Sequence, residues 1–335
     1  MMITRAALVI GLCLGLLIDT TSVAQSVKKV SRVALASPNT VESMVVGGSP
    51  TWSALLQALR RHGYIEGKNL IVDRRSTKVS RAERREIAAR LIAAKPDLVL
   101  VGGDEPFVKV LMSQTETIPI VVIVTDPVIL GIVPSYSRPG GNVTGLSADP
   151  GGNLDPKRLN LLRQVVPSAR RVGYLIRGDY WDSPFAKKAR GGARTLRMTL
   201  VPAVTNVPVH EADYDRLFAE IARGKVDAVL GPPTVETRVF RRKIVELALQ
   251  KRLPSIFCQP SLARAGALMS YGPDVPELYR RAATYVDKIL KGAKPAELPI
   301  EQAEKFQFIV NLKTAKALGI SIPRAILLRA DEVIE

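Results

Sequence analysis

Strand-like and helix-like segments alternate along this chain, and two of the strand-like segments are continuously apolar. Leu98 to Val101 and Ile118 to Val124 are continuous apolar runs of strand length. Apolar residues before them recur at the spacing of one helix face, at Trp52, Leu55, Leu56 and Leu59. Strands without a polar face, separated by helices, require a parallel sheet that is covered by helices on both sides. The sequence therefore predicts an α/β fold.

The second half of the chain repeats this plan. Lys95 to Leu100 (KPDLVL) aligns with Lys225 to Leu230 (KVDAVL), and each is followed by a turn, a helix and a strand led by proline. All units of this kind share that order, so one short match is weak evidence of duplication. It nevertheless favours two similar lobes over one continuous sheet. We expect two Rossmann-like parallel-sheet lobes joined by a hinge.

Residues 1–24 have the pattern of a secretory signal peptide. Arg5 precedes the apolar segment Ala6 to Ile18, and Ser22 and Ala24 place small residues at positions −3 and −1 of a cleavage site. The apolar segment is shorter than the roughly 20 residues of a membrane-spanning helix, although an uncleaved anchor is the alternative. We therefore predict an exported, periplasmic protein. The only cysteines, Cys13 and Cys258, exclude a disulfide framework.

The chain carries 48 Lys and Arg against 31 Asp and Glu, a net charge of +17 that raises nucleic acid as a partner. Export places the protein away from that partner. The basic residues also form short groups on polar helix faces, and the 5% of aromatic residues do not interleave with them to make a stacking platform. Nucleic-acid binding is thus the minor alternative, and we predict no such partner.

The parts of common enzyme sites are missing. The two histidines, His62 and His210, have no partner at metal-ligand spacing, and the sequence contains no nucleophile elbow, zinc-protease motif or P-loop. Pro139 to Gly145 is glycine-rich, but it has Asn142 where a dinucleotide fingerprint needs glycine, so we predict a turn. We predict no catalytic residues, no metal and no cofactor.

Polar and aromatic residues instead follow the predicted strands. Open α/β sheets bind ligands beyond the carboxyl ends of their strands, and two lobes can close on a small molecule across a hinge. The candidate ligand-binding residues are Ser37, Asn39, Asp126, Tyr180, Trp181, Thr234 and Gln259.

Three of these candidates also have a purely structural interpretation. Tyr180 and Trp181 are suited to stacking on a ligand, but loop aromatics more often cover the core of their own lobe. Asp126 is suited to accepting a hydrogen bond from an ammonium group, but Asp126-Pro127 is equally a common turn and cap.

The chain resembles a family of ABC-transporter substrate-binding proteins related to tryptophan and tyrosine uptake proteins. The matching stretches run in order along nearly the whole chain: LRRHGYIEGKN (59–69), KPDLVLVG (95–102), IPIVVIVTDP (118–127), SRPGGNVTG (137–145), AGALMSYGP (265–273), ATYVDKILKGAKP (283–295) and FIVNLKTAKALG (308–319). The resemblance implies a type I periplasmic binding protein, which has two α/β lobes and a multi-stranded hinge.

This resemblance also implies a function. The protein would capture a small solute of the aromatic or amino-acid-like carboxylate class and deliver it, as a monomer, to an ABC permease of the inner membrane. By analogy, Ser37, Asp126, Trp181, Thr234 and Gln259 lie in the cleft. An enzyme or a sensor on the same scaffold is the alternative, because a fold does not fix a function.

The lobes are expected to be discontinuous in sequence. We assign residues 28–148 with about 272–292 to lobe 1 and residues 149–271 to lobe 2. Residues 293–335 form a C-terminal segment that the sequence assigns to neither lobe.

Overall fold

The computed structural model describes residues 30–205, 209–232 and 234–335, which form one β-sheet of six strands and another of seven. The predicted signal peptide lies outside the described residues. The strands are β1 (Ser31–Ser37), β2 (Leu70–Ser76), β3 (Leu98–Gly102), β4 (Ile120–Val124), β5 (Val143–Ser147), β6 (Arg171–Arg177), β7 (Thr199–Thr205), β8 (Ala228–Gly231), β9 (Ser255–Phe257), β10 (Met269–Pro273), β11 (Glu301–Gln302), β12 (Phe306–Asn311) and β13 (Glu332–Ile334).

Helices connect most of these strands. They are α1 (Pro50–Arg61), α2 (Arg81–Ala93), α3 (Glu105–Met112), α4 (Leu154–Val165), α5 (Pro184–Thr195), α6 (Glu211–Arg223), α7 (Val235–Val239), α8 (Arg241–Gln250), α9 (Pro260–Ala265), α10 (Val275–Leu290), α11 (Leu312–Leu318) and α12 (Arg324–Leu327). Within the described ranges, no helix combines the length and the apolarity that crossing a membrane requires.

Both sheets are built mainly of parallel strands. The first has the order β11-β5-β4-β3-β1-β2, and all of its pairs are parallel. The second has the order β13-β12-β10-β9-β8-β6-β7, in which β12 pairs antiparallel to β10. In each sheet the carboxyl ends of the central strands therefore meet at one edge, and the loops that follow them lie side by side.

Alternate residues of one strand pack into two different cores. Val33 and Leu35 of β1 belong to the core under α1 and α10, whereas Ala34 and Ala36 belong to the core under α2 and α3. Because both faces of the strand are covered, it has no solvent-facing side that would need polar residues. The predicted parallel sheet with helices on both faces is confirmed here, and its cause is this double burial.

The chain passes between the sheets three times: between β5 and α4, between β10 and α10, and between β11 and β12. Thus α10 directly follows a strand of the second sheet but packs against α1 of the first. The last part of the chain contributes β11 to the first sheet and β12 and β13 to the second. The lobe boundaries stay a prediction.

The two aligned hexapeptides have the same role in the two sheets. Asp97 accepts a hydrogen bond from the backbone N–H of Arg32 at 2.7 Å, and Asp227 accepts one from Arg171 at 2.8 Å. In both cases an aspartate just before one strand (β3 or β8) accepts a hydrogen bond from the backbone near the start of the neighbouring strand (β1 or β6). Lys95 and Lys225 precede them with positive φ angles of 46° and 48°. The sequence match therefore marks a structural repeat.

Two details differ from the sequence prediction. The Pro139–Gly145 segment forms a turn only as far as Asn142, and β5 begins at Val143. The sequence pattern also predicts one helix from about Arg238 to Lys251. The structure instead breaks the helix at Phe240, whose backbone leaves helical geometry and whose ring contacts Tyr214 at 5.5 Å between centroids. That ring contact anchors the break between α7 and α8 to α6.

Candidate functional site

The carboxyl-terminal edges of the two sheets lie opposite each other. Asn39 is in the loop after β1 of the first sheet, and Arg238 is on α7, which follows β8 of the second. The Nη2 atom of Arg238 donates a hydrogen bond to Oδ1 of Asn39 at 2.6 Å. This contact spans 199 residues of sequence and closes a cleft between the edges where ligands of parallel sheets bind.

Ser37 orients Asn39 for this contact. Ser37 is the last residue of β1 and is fully buried, with 0% of its surface exposed. Its Oγ accepts hydrogen bonds from Nδ2 of Asn39 at 2.8 Å and from the backbone N–H of the same residue at 3.3 Å. With the amide nitrogen held by Ser37, the amide oxygen points to Arg238. The structure places Ser37 behind Asn39 and away from solvent.

Asp126 follows β4, as predicted, but its carboxylate is occupied. Oδ1 accepts from the backbone N–H groups of Val128 at 2.9 Å and Ile129 at 3.0 Å. Oδ2 accepts from the hydroxyl of Tyr136 at 2.5 Å and from the N–H of Gly151 at 2.6 Å. Four donors on a fully buried carboxylate leave little capacity for a ligand ammonium. The contacts therefore favour the turn-and-cap alternative.

A neighbouring carboxylate that the sequence analysis did not single out has an available oxygen. Glu105 begins α3 after β3, and it is half-buried. Its Oε1 accepts from the hydroxyl of Thr125 at 2.9 Å and from the backbone N–H of Thr125 at 3.2 Å. Within the described part of the chain, Oε2 has no hydrogen-bond donor and Glu105 has no cation within ion-pair distance. In the sequence, Glu105 could have been identified as a candidate site residue because it directly follows Asp104, the N-cap of the helix after β3.

Tyr279 of α10 was also missed, because the sequence pattern assigns it to a helix in the core. Its ring packs edge-on against Trp52, with 4.8 Å between centroids, and its hydroxyl lies against the carboxyl end of β3 at Gly102. Burial raises the pKa of this phenol, the charge of Arg238 lowers it, and the charge of Glu105 raises it. Glu105 and Arg238 come from opposite sheets to the same edge as Tyr279, because Glu105 begins α3 after β3 and Arg238 contacts Asn39 after β1, the neighbour of β3.

Tyr180 and Trp181 both pack on the core of the second sheet. The ring of Tyr180 contacts Tyr174 edge-on at 6.2 Å, and burial, followed by the charge of Asp155, raises its pKa well above the usual range. The guanidinium of Arg190 covers the ring of Trp181 at 4.3 Å from its centroid. Both aromatics are partial lids on their own core, the simpler of the two alternatives, and Trp181 keeps part of its surface exposed.

A buried polar network lies beneath Tyr180. Arg158 of α4 is 1% exposed, donates to Asp155 and donates through Nε to the carbonyl of Tyr271 at 2.7 Å. Tyr174 donates to the other oxygen of Asp155. Burial raises the pKa of the adjacent Cys258 thiol, and Arg158 opposes that rise. The network connects α4 with β6 and β10 and therefore stiffens the second sheet next to the crossings.

Thr234 and Gln259 lie together after β8 and β9. Thr234 caps α7, and its carbonyl accepts a hydrogen bond from Nε2 of Gln259 at 3.1 Å. The Oε1 atom of Gln259 is buried without a hydrogen-bond partner in the described residues. The structure thus brings Asn39, Thr234 and Gln259 to the facing edges, while Ser37, Asp126 and Tyr180 are held within their own sheets. Their ligand roles stay predictions.

A family model and a named relative both match most of this chain. A family model described as ABC transporter substrate binding protein matches residues 48–334. A tyrosine-binding protein of Clostridioides difficile (strain R20291) is 27% identical over 272 residues, which span 79% of this chain and 75% of that protein.

Solved structures share the fold. A conserved domain protein from Vibrio cholerae O1 biovar El Tor superposes with a TM-score of 0.80 at 28% identity, covering 91% of this chain and 100% of that one. An ABC domain from Streptococcus pneumoniae in complex with L-Trp superposes with a TM-score of 0.79 at 22% identity, covering 91% and 99%. The predicted two-lobed α/β fold is confirmed. With the family model matching most of its length, the chain belongs to the ABC transporter substrate-binding protein family.

Proposed function

We propose that this protein binds an aromatic or amino-acid-like carboxylate in the cleft between its two sheets and delivers it to an ABC permease. The observation that carries the proposal is the hydrogen bond between Asn39 and Arg238, which brings the ligand-binding edges of two parallel sheets to face each other. A cleft lined by elements of two bodies encloses a small solute when the bodies approach.

The solute class is supported by two independent lines. A related protein is named for tyrosine, and a structural relative was solved with L-Trp. The cleft of this chain also carries a guanidinium, Arg238, whose only side-chain hydrogen bond in the described residues is to a neutral amide. A cation that lacks an anionic partner suits a carboxylate ligand. Asn39, Trp181, Thr234 and Gln259 are the residues we propose to contact it.

The proposed working cycle uses the segments that cross between the sheets as a hinge. We assign the bodies as residues 28–148 with about 272–292 and residues 149–271, with the later crossings as further hinge strands. Export through residues 1–24 would place the mature protein, acting as a monomer, in the periplasm, where a permease of the inner membrane is accessible.

Binding is tested first by thermal unfolding of the purified chain with the twenty amino acids and a set of aromatic acids. A solute at about 100 times its Kd adds about 2.7 kcal/mol to the free energy of unfolding. Calorimetric titration then gives the affinity, and mass spectrometry checks that the bound solute is released unchanged. Chemical conversion of the solute would contradict the binding-protein function and favour an enzyme.

Transport is tested separately in the producing cell. Deleting the gene is expected to abolish high-affinity uptake of the radiolabelled solute, and the wild-type gene is expected to restore it. An Asn39→Ala variant, which breaks the contact across the cleft, should restore it only in part. Unchanged uptake after deletion, despite tight binding by the purified protein, would exclude the role in import.

A further inference from the structure

Two charged side chains on opposite sides of the cleft lack ionic partners. Glu105 belongs to the first sheet's edge and Arg238 to the second. By contrast, Arg158 pairs with Asp155 within the second sheet's core, and Arg84 pairs with Asp104 next to Glu105. Among the described residues, neither Glu105 nor Arg238 lies within 4.0 Å of an opposite charge. The cleft therefore presents one free carboxylate oxygen and one guanidinium that only a neutral amide contacts.

The geometry fixes both groups in place. Oε1 of Glu105 is held by two hydrogen bonds from Thr125, which leaves Oε2 directed elsewhere. Nη2 of Arg238 is held by Asn39, which leaves its other N–H groups available. The hydroxyl of Tyr279 has no hydrogen-bond partner in the described residues, and both charges act on it. All three groups lie at the carboxyl ends of the neighbouring strands β1 and β3. Glu105 begins α3 after β3, the Tyr279 hydroxyl lies against Gly102 at the end of β3, and Arg238 contacts Asn39 after β1.

A guanidinium and a carboxylate recognise opposite ends of a zwitterion. The planar fork of arginine matches a carboxylate with two parallel hydrogen bonds, and a carboxylate oxygen accepts from an ammonium group. We propose that Arg238 binds the α-carboxylate and Glu105 binds the α-ammonium of a free amino acid, with Tyr279 contributing its hydroxyl between them. This inference rests on the proposed function and narrows its solute from carboxylates in general to α-amino acids.

The arrangement also couples recognition to closure. Because the two charges come from different sheets, only a solute with both charged groups contacts both sides of the cleft at once. A ligand shifts a conformational equilibrium only by its difference in affinity for the two states. An amino acid therefore stabilises the closed arrangement, whereas a ligand that lacks one charged group binds one side and leaves closure less favoured.

Ligand analogues test this without changing the protein. Tyrosine is compared with tyramine, which lacks the carboxylate, and with 3-(4-hydroxyphenyl)propionate, which lacks the ammonium; tryptophan is compared with its two corresponding analogues. Each analogue is expected to bind at least about 10-fold more weakly than its parent, because one charge-assisted hydrogen-bonded contact is lost. Equal affinity of an amino acid and its analogue without the ammonium would overturn the role of Glu105.

Protein variants test which residue binds the carboxylate of the solute and which binds its ammonium group. Arg238→Gln should weaken amino-acid binding about 10- to 100-fold, and it should weaken tyramine binding no more than Asn39→Ala does, since both variants break the contact across the cleft. Glu105→Gln should weaken amino-acid binding similarly but leave the affinity for the propionate unchanged. Arg242→Gln and Glu116→Gln change the same charges at exposed positions that make none of the cleft contacts described above, and they should leave all affinities unchanged.

The outcomes separate this inference from the proposed function. If Arg238→Gln weakens tyramine and tyrosine equally, Arg238 acts only as a contact between the sheets, and the inference is overturned while the binding function stands. If the wild-type protein binds none of the twenty amino acids, both fail. Should Arg238→Gln not fold, Arg238→Lys provides the same comparison, since it keeps the charge but loses the two-pronged geometry.

Discussion

The carboxylate of Asp126 accepts a hydrogen bond from the backbone N–H of Gly151 at 2.6 Å, which joins the turn after β4 to the first crossing between the sheets. The same oxygen accepts from the hydroxyl of Tyr136. From the second sheet, Lys188 of α5 donates to the carbonyl of Gly151. The two peptide groups that flank Gly151 are thus held from opposite sides, at a glycine whose φ of +71° other residues rarely adopt.

Replacing Asp126 should therefore destabilise the protein. Asp126→Ala leaves several buried donors without an acceptor and is expected to lower the free energy of unfolding by about 3 kcal/mol. Tyr136→Phe removes only one of those donors and should cost about 1 kcal/mol. Urea unfolding measures both. If Asp126→Ala loses solute binding while its stability is unchanged, Asp126 is a ligand contact after all.

The buried guanidinium of Arg158 gives a second prediction. It neutralises Asp155 in a site where Arg158 is 1% exposed and also binds the carbonyl of Tyr271. Arg158→Met leaves the Asp155 carboxylate buried without a cation, which is expected to cost about 3 to 5 kcal/mol.

The double variant Arg158→Met/Asp155→Asn serves as the control for this prediction. It removes both charges and should be more stable than Arg158→Met alone, because no uncompensated ion is then left in the core. Denaturant unfolding of the single and double variants gives the coupling energy between the two positions. Strictly additive effects would show that the pair contributes no mutual stabilisation.

Local features of the fold were predictable from the sequence because local physics decides them. The capping box of Ser80 and Glu83 is one such feature, since two residues three positions apart satisfy each other's backbone donors at the start of α2. The apolar runs of β3 and β4 follow from burial on both faces. By contrast, β11 has only two residues, Glu301 and Gln302, and pairs with β5 far earlier in the chain, so no local pattern marks it.

The site was predictable in position but less so in residue identity. The sequence predicts Asn39, Thr234 and Gln259 at the strand ends because they lie two or three residues after a strand, and the structure brings them to the facing edges; their ligand roles stay predictions. Glu105 and Arg238 each lie on a helix, where the sequence shows only one charge among many. Their significance depends on which charges find partners, and pairing is decided by tertiary contacts. Asp126 illustrates the converse, because its sequence position suits a ligand contact while its four hydrogen bonds occupy it.

The close approach of Gly102 and Tyr279 gives a third prediction. A Cβ atom at Gly102 would lie 1.9 Å from the hydroxyl oxygen of Tyr279 and 2.8 Å from the ring. Trp52 packs against that ring and limits its retreat. Gly102→Ala is expected to lower the free energy of unfolding by about 2 kcal/mol, and adding Tyr279→Phe should recover part of that loss.

Gly191 in α5 is the matched control, because a Cβ there meets no atom within 4 Å. Gly191→Ala should stabilise the protein by about 0.5 to 1 kcal/mol, since alanine loses less conformational entropy in a helix. Thermal unfolding tests whether Gly102→Ala is destabilising and Gly191→Ala is stabilising. A Gly102→Ala variant as stable as the wild type would mean that the Tyr279 side chain moves freely.

The raised pKa of Asp149, at the first crossing between the sheets, leads us to expect that the stability of the protein depends on pH. Its Oδ1 accepts from the backbone N–H groups of Asn153 and Leu154 at the start of α4. Burial raises the pKa of Asp149 from 3.8 to about 6, with Arg158 opposing the rise and Asp155 adding to it. The folded state therefore holds a proton that the unfolded state has released, and stability falls as pH rises from about 4 to about 6.

Asp149→Asn keeps the acceptor oxygen but removes this titration. Relative to the wild type, the variant should gain about 1 to 2 kcal/mol in the free energy of unfolding between pH 4 and pH 7.5, allowing for partial solvent screening. Glu116→Gln removes an exposed carboxylate and should follow the wild-type profile. Urea unfolding across that pH range makes the comparison, and a constant difference between wild type and Asp149→Asn would show that Asp149 does not change its protonation on folding.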